Sequence, residues 1–193
     1  NEWGDLETPW MWSEEKIRSL ALFLRQQLFP IHIAANKADS TKGEPWLAIE
    51  SNGLVQPTMA DMELALRRAD SGGMIEYSPG SDSFDIADES TLNPTQLNAL
   101  SSMKEKLSQS GGTGVTKLIS GVLFGALDHV VVYPVADENA WKDGEGKVLP
   151  DAFVVPNGIE AKALAYKVHT DLGDGFIRAV DGKTRRIVGA DHE

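Results

Sequence analysis

A helical pattern that runs directly into a short apolar strand is the feature that most constrains the fold of this chain. Behind Ser13, a typical N-cap residue, apolar side chains recur at helical spacing and predict one amphipathic helix: Ile17, Leu20, Ala21, Leu24 and Leu28. Pro30 ends this helix, and residues 31–35 predict a buried strand that leads straight into polar residues. A helix followed by such a strand is typical of α/β domains, in which ligands bind at the carboxyl ends of the strands.

The same alternation continues along the chain. The next predicted elements are, in order, a strand at 54–58, a helix at 61–69, an irregular acidic stretch at 74–92, a helix opened by Asn93 and Pro94 that ends at Gly111, a helix at about 115–127 and a strand at 130–135. Helices and strands therefore alternate over the first two thirds of the sequence, which predicts an α/β class for this part.

The pattern changes near Asp128. The predicted elements from there are a hairpin turn at 143–146, a strand at 148–155, a helix at about 160–169, a strand at 176–180, a turn at 181–182 and a strand at 186–188. Two hairpins around one helix predict a small α+β domain of the ubiquitin-like β-grasp type. We therefore expect a domain boundary near Asp128.

Asn36-Lys37-Ala38-Asp39 follows the first predicted strand and matches the guanine-specificity pattern N-K-x-D. An ionised aspartate accepts two hydrogen bonds from neighbouring donors, and guanine offers such a pair on N1 and on its exocyclic amino group. Adenine has an acceptor at N1 and no amino group at position 2, so it would leave the carboxylate unpaired. The lysine stem can lie over the base, and the asparagine amide can tie neighbouring loops together. The alternative is a surface turn that holds one asparagine and two charges.

About 20 residues further on, Pro57-Thr58-Met59-Ala60-Asp61 again joins the end of a strand to the start of a helix. Nucleotide-binding folds use this order of elements to close around a base, and a backbone N–H at such a junction can donate to guanine O6. The alternative is an ordinary strand–helix connection without a ligand.

Charge and composition limit the expected partners. The net charge of −11 is spread along the chain and opposes loose binding to nucleic acid, and solubility is its plain explanation. Lys183, Arg185 and Arg186 form the one local basic group, which is either a solvated hairpin or a contact with RNA phosphates. Because the chain has no cysteine and no long apolar run, we expect a cytoplasmic protein without disulfides or membrane spans.

The sequence resembles the YchF-related branch of the Obg superfamily of GTPases, in the form found in archaea. The segments that carry the resemblance are residues 31–39, 63–69, 112–115 and 131–135. The tail is also similar to a TGS domain, a β-grasp module shared by threonyl-tRNA synthetases, GTPases and SpoT stringent-response enzymes; the segments concerned are 149–153, 163–173 and 175–179.

This resemblance implies a fold and a domain organisation. Residues 1–127 would be the carboxy-terminal part of a G domain of the P-loop-NTPase type, with a helical segment. Residues 128–193 would be a TGS domain of the β-grasp type that lacks its last strand. Because TGS domains are associated with RNA or ribosome contacts, the resemblance also makes Lys183, Arg185 and Arg186 candidate RNA-binding residues.

The resemblance also implies the residues that bind GTP or GDP. Asn36, Lys37 and Asp39 would lie on the base and ribose side of the nucleotide, and Asp39 favours guanine over adenine. Met59 and Ala60 fall where the family has a Ser-Ala pair in its fifth motif. Ala60 still offers its N–H, whereas Met59 replaces a hydroxyl that helps to order the loop.

The sequence holds no complete pattern for binding the phosphates. A GTPase also needs G-x-x-x-x-G-K-S/T, which cradles the phosphates, and a D-x-x-G aspartate near the magnesium ion. Gly182-Lys183-Thr184 ends like the first pattern, but its first glycine would fall at Ile177. We therefore expect no catalytic residue and no metal ligand on this chain, and negligible hydrolysis by the chain alone. The expectation is a fragment of a protein about twice as long that binds Mg²⁺ when intact.

Three functions are compatible with the sequence. The first is a nucleotide-dependent switch, in which the intact protein binds and hydrolyses GTP and passes the nucleotide state to the β-grasp module. The second is an RNA- or ribosome-binding module, in which the TGS part docks and has no nucleotide activity of its own. The third is a remnant without separate activity. For the intact protein the first is preferred.

Overall fold

The computed structural model describes residues 9–51, 53–149 and 151–192. The chain divides into two compact units, Asn1–Val122 (the first unit) and Leu123–Glu193 (the second unit). No helix within the described residues is both long and apolar enough to cross a membrane.

The first unit mixes helices and short strands. In chain order its elements are α1 (Glu14–Leu28), β1 (Ile33–Ala35), β2 (Val55–Pro57), α2 (Ala60–Ser71), β3 (Ile75–Glu76), β4 (Asp85–Ile86), α3 (Pro94–Ser110) and α4 (Val115–Ser120). A π-helical turn, Gly121–Ala126, continues α4 toward the second unit. The predicted helix at 115–127 thus divides into an α-helical and a π-helical part.

Strands β1 and β2 pair in parallel, with Ile33 opposite Val55 and Ala35 opposite Pro57. The pairing continues beyond the strands, because the Thr58 N–H donates to the Ala35 carbonyl at 2.9 Å and the Ala38 N–H donates to the Thr58 carbonyl at 3.1 Å. The carboxyl ends of both strands therefore lie at the same edge. The mixed α/β class is confirmed for this unit.

Helix α1 begins where the sequence predicts. The Ser13 hydroxyl accepts a hydrogen bond from the Lys16 N–H at 3.3 Å, and Glu14 and Glu15 occupy the first turn. None of its side chains is buried, and Ile17, Leu24 and Leu28 are between 44% and 66% exposed. Local capping rather than burial therefore defines this helix.

The core of the first unit lies between α2, α3 and the β3–β4 hairpin. Its buried residues are Met59, Met62, Leu66, Ala69, Ile75, Tyr77, Phe84, Leu100 and Leu107. Asn93 and Gln96 cap α3 with two reciprocal hydrogen bonds of 2.9 Å, and Gly111 ends it with a φ of 63°. Residues 74–92 were expected to be irregular, but part of this stretch forms the β3–β4 hairpin, because burial of Ile75 and Phe84 folds it against the helices.

The second unit contains two hairpins and two short helices. Its elements are β5 (His129–Val132), β6 (Phe153–Pro156), α5 (Ala161–Val168), α6 (Thr170–Asp174), β7 (Ala179–Val180) and β8 (Ile187–Val188). Strands β5 and β6 are antiparallel, and so are β7 and β8, but the two pairs do not join into one sheet among the described residues. A single mixed β-grasp sheet is thus not formed by the residues that the structure describes.

Two predicted elements of the second unit differ in their limits. The strand expected at 148–155 is observed only as β6, because Lys142 bridges to Asp137 and to Val148 and folds the intervening chain on itself. The single helix expected at 160–169 is two helices. His169 adopts an extended backbone between them, with φ −161° and ψ 144°, and its ring accepts a hydrogen bond from the Asp171 N–H.

Candidate functional site

Asn36 links the two strand ends that carry the predicted base-binding segments. Its Oδ1 accepts a hydrogen bond from the Ala60 N–H at 3.1 Å and a longer one from the Thr58 hydroxyl at 3.5 Å. Asn36 follows β1, whereas Thr58 and Ala60 join β2 to α2. The parallel pairing of β1 with β2 places these residues side by side, so the structure brings the two segments together.

Lys37 and Asp39 occupy the turn that leaves β1. Lys37 has a φ of 63°, and its carbonyl accepts hydrogen bonds from the hydroxyls of Ser40 at 3.2 Å and Thr41 at 2.8 Å. A non-glycine residue in the left-handed region costs free energy and is held by its surroundings. The Lys37 residue itself is exposed. Local hydroxyl contacts thus hold the turn while the lysine side chain stays accessible.

The Asp39 carboxylate is partly accessible and is paired with a lysine of α3. Its Oδ2 lies 3.6 Å from the Lys106 Nζ, and the Asp39 side chain is 29% exposed. Ala38 packs against the core cluster, which fixes the backbone beneath the carboxylate. At 3.6 Å the contact is an ion pair rather than a short hydrogen bond, so the carboxylate can still accept from a ligand.

Met59 and Ala60 both use their backbone N–H groups inside the protein. The Met59 N–H donates to the Thr113 carbonyl at 2.8 Å, and the Ala60 N–H donates to Asn36. Met59 is 3% exposed, and as the N-cap residue of α2 it makes no side-chain capping bond. The Ala60 N–H, predicted to be available for guanine O6, therefore already donates to Asn36 in this structure.

A buried carboxylate beneath this junction was not anticipated from the sequence. Glu63 in α2 is 5% exposed and accepts hydrogen bonds from the Thr113 hydroxyl at 2.6 Å, the Tyr77 hydroxyl at 2.9 Å and the Arg67 Nε at 2.7 Å. The one clue in the sequence is that Glu63 lies three positions before Leu66 on the apolar face of a helix. Its partner Thr113 is 50 residues away, so no local pattern could identify the contact.

The electrostatics of this cluster favour an ionised carboxylate. Burial raises the pKa of Glu63, but the hydrogen bonds from Thr113, Arg67 and Tyr77 more than offset it, and the pKa lies below its ordinary value of 4.5. Burial and the bond to Glu63 raise the pKa of Tyr77 above 10.0, so the phenol stays a donor. The cluster is thus a charged acceptor surrounded by three donors.

The basic group of the second unit lies on the turn between β7 and β8. Asp181 shapes this turn by accepting from the Lys183 N–H at 2.8 Å. The Arg185 guanidinium donates to the Glu138 carbonyl at 2.6 Å and to the Asn139 Oδ1 at 3.0 Å. Arg185 therefore holds a neighbouring loop, while Lys183 and Arg186 are exposed.

Among the described residues, no group of three His, Cys, Asp or Glu side chains is arranged to hold a metal ion. The chemistry assembled at the β1–β2 edge consists of one amide, one carboxylate, one lysine and backbone N–H groups at the start of α2. Such a set can recognise a planar ligand that offers both donors and acceptors, and it contains no nucleophile with an activating base.

Comparisons with known proteins identify relatives of this chain. The family model described as the G4 motif-containing domain of YGR210-like Obg-like GTPases matches residues 34–137. An uncharacterized GTP-binding protein of Methanocaldococcus jannaschii is 46% identical over 193 residues, and the match covers 97% of this chain and 48% of that protein.

A solved structure is also similar. The crystal structure of a GTP-binding protein from Pyrococcus horikoshii superposes with a TM-score of 0.63 at 37% identity, covering 94% of this chain and 48% of the other. The chain thus spans about half the length of both relatives.

Proposed function

Because the chain belongs to the YGR210-like family of Obg-like GTPases, we propose that its first unit is the base-reading part of a guanine-nucleotide site. Asn36, Lys37 and Asp39 form one side of this proposed site, and Met59 and Ala60 form the other. The bound ligand is GTP or GDP.

The hydrogen bond from the Ala60 N–H to Asn36 Oδ1 is the observation that carries this proposal. It joins residues 24 positions apart at 3.1 Å, and each lies where a strand ends. A surface turn at 36–39, the alternative from the sequence, would have no reason to bind the start of α2. The hydrogen bond supports the interpretation that the Asn36 amide joins the two loops of a base-binding site.

Each proposed contact has a chemical role. The Asp39 carboxylate accepts from guanine N1 and from the amino group at position 2, which adenine cannot satisfy. The exposed Lys37 stem lies over the base, and guanine O6 competes with Asn36 for the Ala60 N–H. The Ala60–Asn36 bond is exposed, whereas the Thr113–Glu63 bond beneath it is buried, so guanine O6 can compete for the Ala60 N–H without rearrangement of the core.

Calorimetry with the purified chain tests guanine recognition. We expect GDP to bind more tightly than ADP, and Asp39→Asn to lower the affinity for GDP by about tenfold or more because an amide replaces the double acceptor. Asp85→Asn is the matched control, since Asp85 is also an aspartate paired with an α3 lysine, at 3.7 Å from Lys104. Equal affinities for GDP and ADP, or equal effects of the two substitutions, would contradict the proposal.

The finer assignment concerns the longer protein. We assign the chain to the YchF-related branch, with a G-domain part at 1–127 and a TGS domain at 128–193, and the intact protein to the GTPases that use Mg²⁺. The tail segments at 149–153, 163–173 and 175–179 support the TGS assignment. Retained GTP hydrolysis by the intact protein after deletion of residues 128–193 would show that the two parts act independently.

The second candidate function is RNA or ribosome binding through the turn between β7 and β8. It is supported by the exposure of Lys183 and Arg186 on a turn that Asp181 holds in shape. We expect charge reversal of Lys183 and Arg186 to reduce co-sedimentation of the intact protein with ribosomes. Reversal of Lys142 and Lys147, an exposed pair on another turn of the same unit, is the control. Equal losses from both pairs would indicate a general charge effect and no specific docking surface.

A further inference from the structure

We propose that Glu63 is a positioning residue for base recognition, and that it acts through Thr113 on the turn formed by Met59 and Ala60. This inference rests on the proposed guanine site and adds a residue that the nucleotide does not touch. Glu63 is buried in α2, and the link from it to the turn passes through one side-chain bond and one backbone bond.

The link is short and continuous. The Thr113 hydroxyl donates to Glu63 Oε2 at 2.6 Å, and the Thr113 carbonyl accepts from the Met59 N–H at 2.8 Å. The next N–H along the chain, that of Ala60, is the one that binds Asn36. The orientation of the Thr113 peptide therefore sets the orientation of the turn that faces the base.

Burial makes this link rigid. Thr113 is 1% exposed and Glu63 is 5% exposed, so water cannot replace a lost partner of the carboxylate. Arg67 and Tyr77 hold the same carboxylate from other directions. Thr113 is thus fixed relative to α2, and α2 begins at Ala60.

The glycines around Thr113 allow the close approach that the link needs. Gly112 and Gly114 have φ values of 104° and 78°, which other residues rarely adopt. A Cβ atom at Gly114 would collide with the Pro57 carbonyl oxygen, so this loop rests directly on the end of β2. The turn at 59–60 is therefore held by Asn36 from β1 and by Thr113 from the loop before α4.

A pair of substitutions separates positioning from stability. Thr113→Val and Tyr77→Phe each remove one hydroxyl that donates to Glu63 Oε2, and only Thr113 also holds the Met59 N–H. We expect both to lower the unfolding free energy by similar amounts. Thr113→Val should in addition weaken GDP binding by about fivefold. The GDP affinity of Tyr77→Phe should stay within about twofold of the wild type. Thr113→Ser keeps the hydroxyl and should bind GDP like the wild type.

A second readout does not depend on the nucleotide. The amide proton of Met59 should exchange with solvent faster in Thr113→Val than in Tyr77→Phe, because only the first loosens its acceptor. If Thr113→Val does not fold, Thr113→Ala removes the same hydroxyl and serves in its place.

The outcomes distinguish this inference from the proposed function. If the wild-type chain binds GDP and ADP equally, the guanine site itself fails. If the wild type prefers GDP but the Thr113 and Tyr77 variants show the same affinity for GDP and the same exchange at Met59, the positioning role alone is overturned. Failure of Thr113→Ser to restore the affinity would also overturn it, since serine keeps the hydroxyl.

Discussion

In the first unit, the side-chain bonds that Asn36 and Thr113 make at the candidate site join residues 22 to 50 positions apart. In the second unit, Asp137, Asp143 and Asp181 bind backbone N–H groups two to four positions away. The long-range bonds exist only when the whole unit is folded. The local bonds form wherever the chain turns. The contacts of Asn36 and Thr113 thus depend on the folding of the first unit. The aspartate-capped turns of the second unit, like the turn at Lys37, depend mainly on their own sequence.

The number of buried apolar residues also differs between the two units. The first unit has one continuous buried cluster, whereas the buried apolar residues described in the second unit are Val155 and Val188. The second unit also has long-range side-chain contacts. Arg185 reaches across 46 to 47 positions to Glu138 and Asn139, and Asn157 donates to Asp128 across 29 positions. A mutation in the buried cluster of the first unit can therefore disturb site contacts that lie far from it along the chain.

Substitutions that create a cavity should give the largest difference in unfolding free energy between the two units. Leu107 and Val155 are both fully buried, at 0% exposure. We expect Leu107→Ala to lower the unfolding free energy by about 2–5 kcal/mol, since it opens the continuous cluster. Val155→Ala removes less apolar surface and should cost about 1–2 kcal/mol. Urea unfolding followed by hydrogen exchange in each unit measures both, and equal losses would break the comparison.

Two glycines with positive φ provide the next test. Gly114→Ala in the first unit would force a methyl group onto the Pro57 carbonyl. Gly146 in the second unit has a φ of 85°, and a methyl group there would have no neighbouring atom within 4 Å. We expect Gly114→Ala to lower the unfolding free energy by about 2–3 kcal/mol and to weaken GDP binding. Gly146→Ala should lower the unfolding free energy by only about 1 kcal/mol, which is the cost of the backbone strain. Thermal unfolding and calorimetry check the two effects. A Gly146→Ala variant as unstable as Gly114→Ala would contradict the steric explanation.

Acid should then destabilise the first unit through Glu63. Because the pKa of Glu63 in the folded state lies below its ordinary value of 4.5, its contribution is complete above that value and is lost as the pH falls through the folded pKa. Glu63→Gln should therefore unfold more easily at neutral pH and show a weaker dependence on acid, measured by urea unfolding between about pH 7 and pH 3.

Asp181→Asn is the control for the second unit. Hydrogen bonds from Thr184 and Lys183 lower the pKa of Asp181, but this residue is only partly buried, unlike Glu63. We expect a smaller change in the acid dependence than for Glu63→Gln, and a larger one would reverse the comparison.

Exposed ion pairs should matter least in both units. Lys106 lies 3.6 Å from Asp39, and Lys147 lies 2.7 Å from Glu145 in the second unit. We expect Lys106→Gln and Lys147→Gln each to change the unfolding free energy by less than about 1 kcal/mol. Lys106→Gln should change GDP affinity by no more than about threefold. A larger loss in calorimetry would make Lys106 part of the base site.

Features that depend on neighbouring residues were predictable from the sequence. The caps at Ser13 and Asn93 and the helix end at Gly111 follow from local hydrogen bonding and backbone conformation, and all three are confirmed. The short strand before residue 36 is confirmed at Ile33–Ala35, since its apolar run is bounded by Pro30 and polar residues. Its predicted burial is wrong, because no residue of β1 is buried and Ile31 is exposed. The guanine role of the residues that follow it stays a prediction.

Features that depend on distant partners were not predictable. The sequence cannot show that the Ala60 N–H is shared with Asn36, or that Glu63 meets Thr113. The β3–β4 hairpin was missed because its strands are only two residues long and tertiary burial, not propensity, forms them. In the second unit, the extended backbone at His169 interrupts a helical pattern that appeared continuous.

The exposure of α1 has a consequence for the native ensemble. An isolated helix of 15 residues is close to the length at which helix and coil are balanced in water, and α1 adds no buried side chain to that balance. Its ends therefore fray, and the whole segment can open while the cluster around Leu66 remains closed. Hydrogen exchange should therefore reach the amides of α1 before those of the cluster around Leu66.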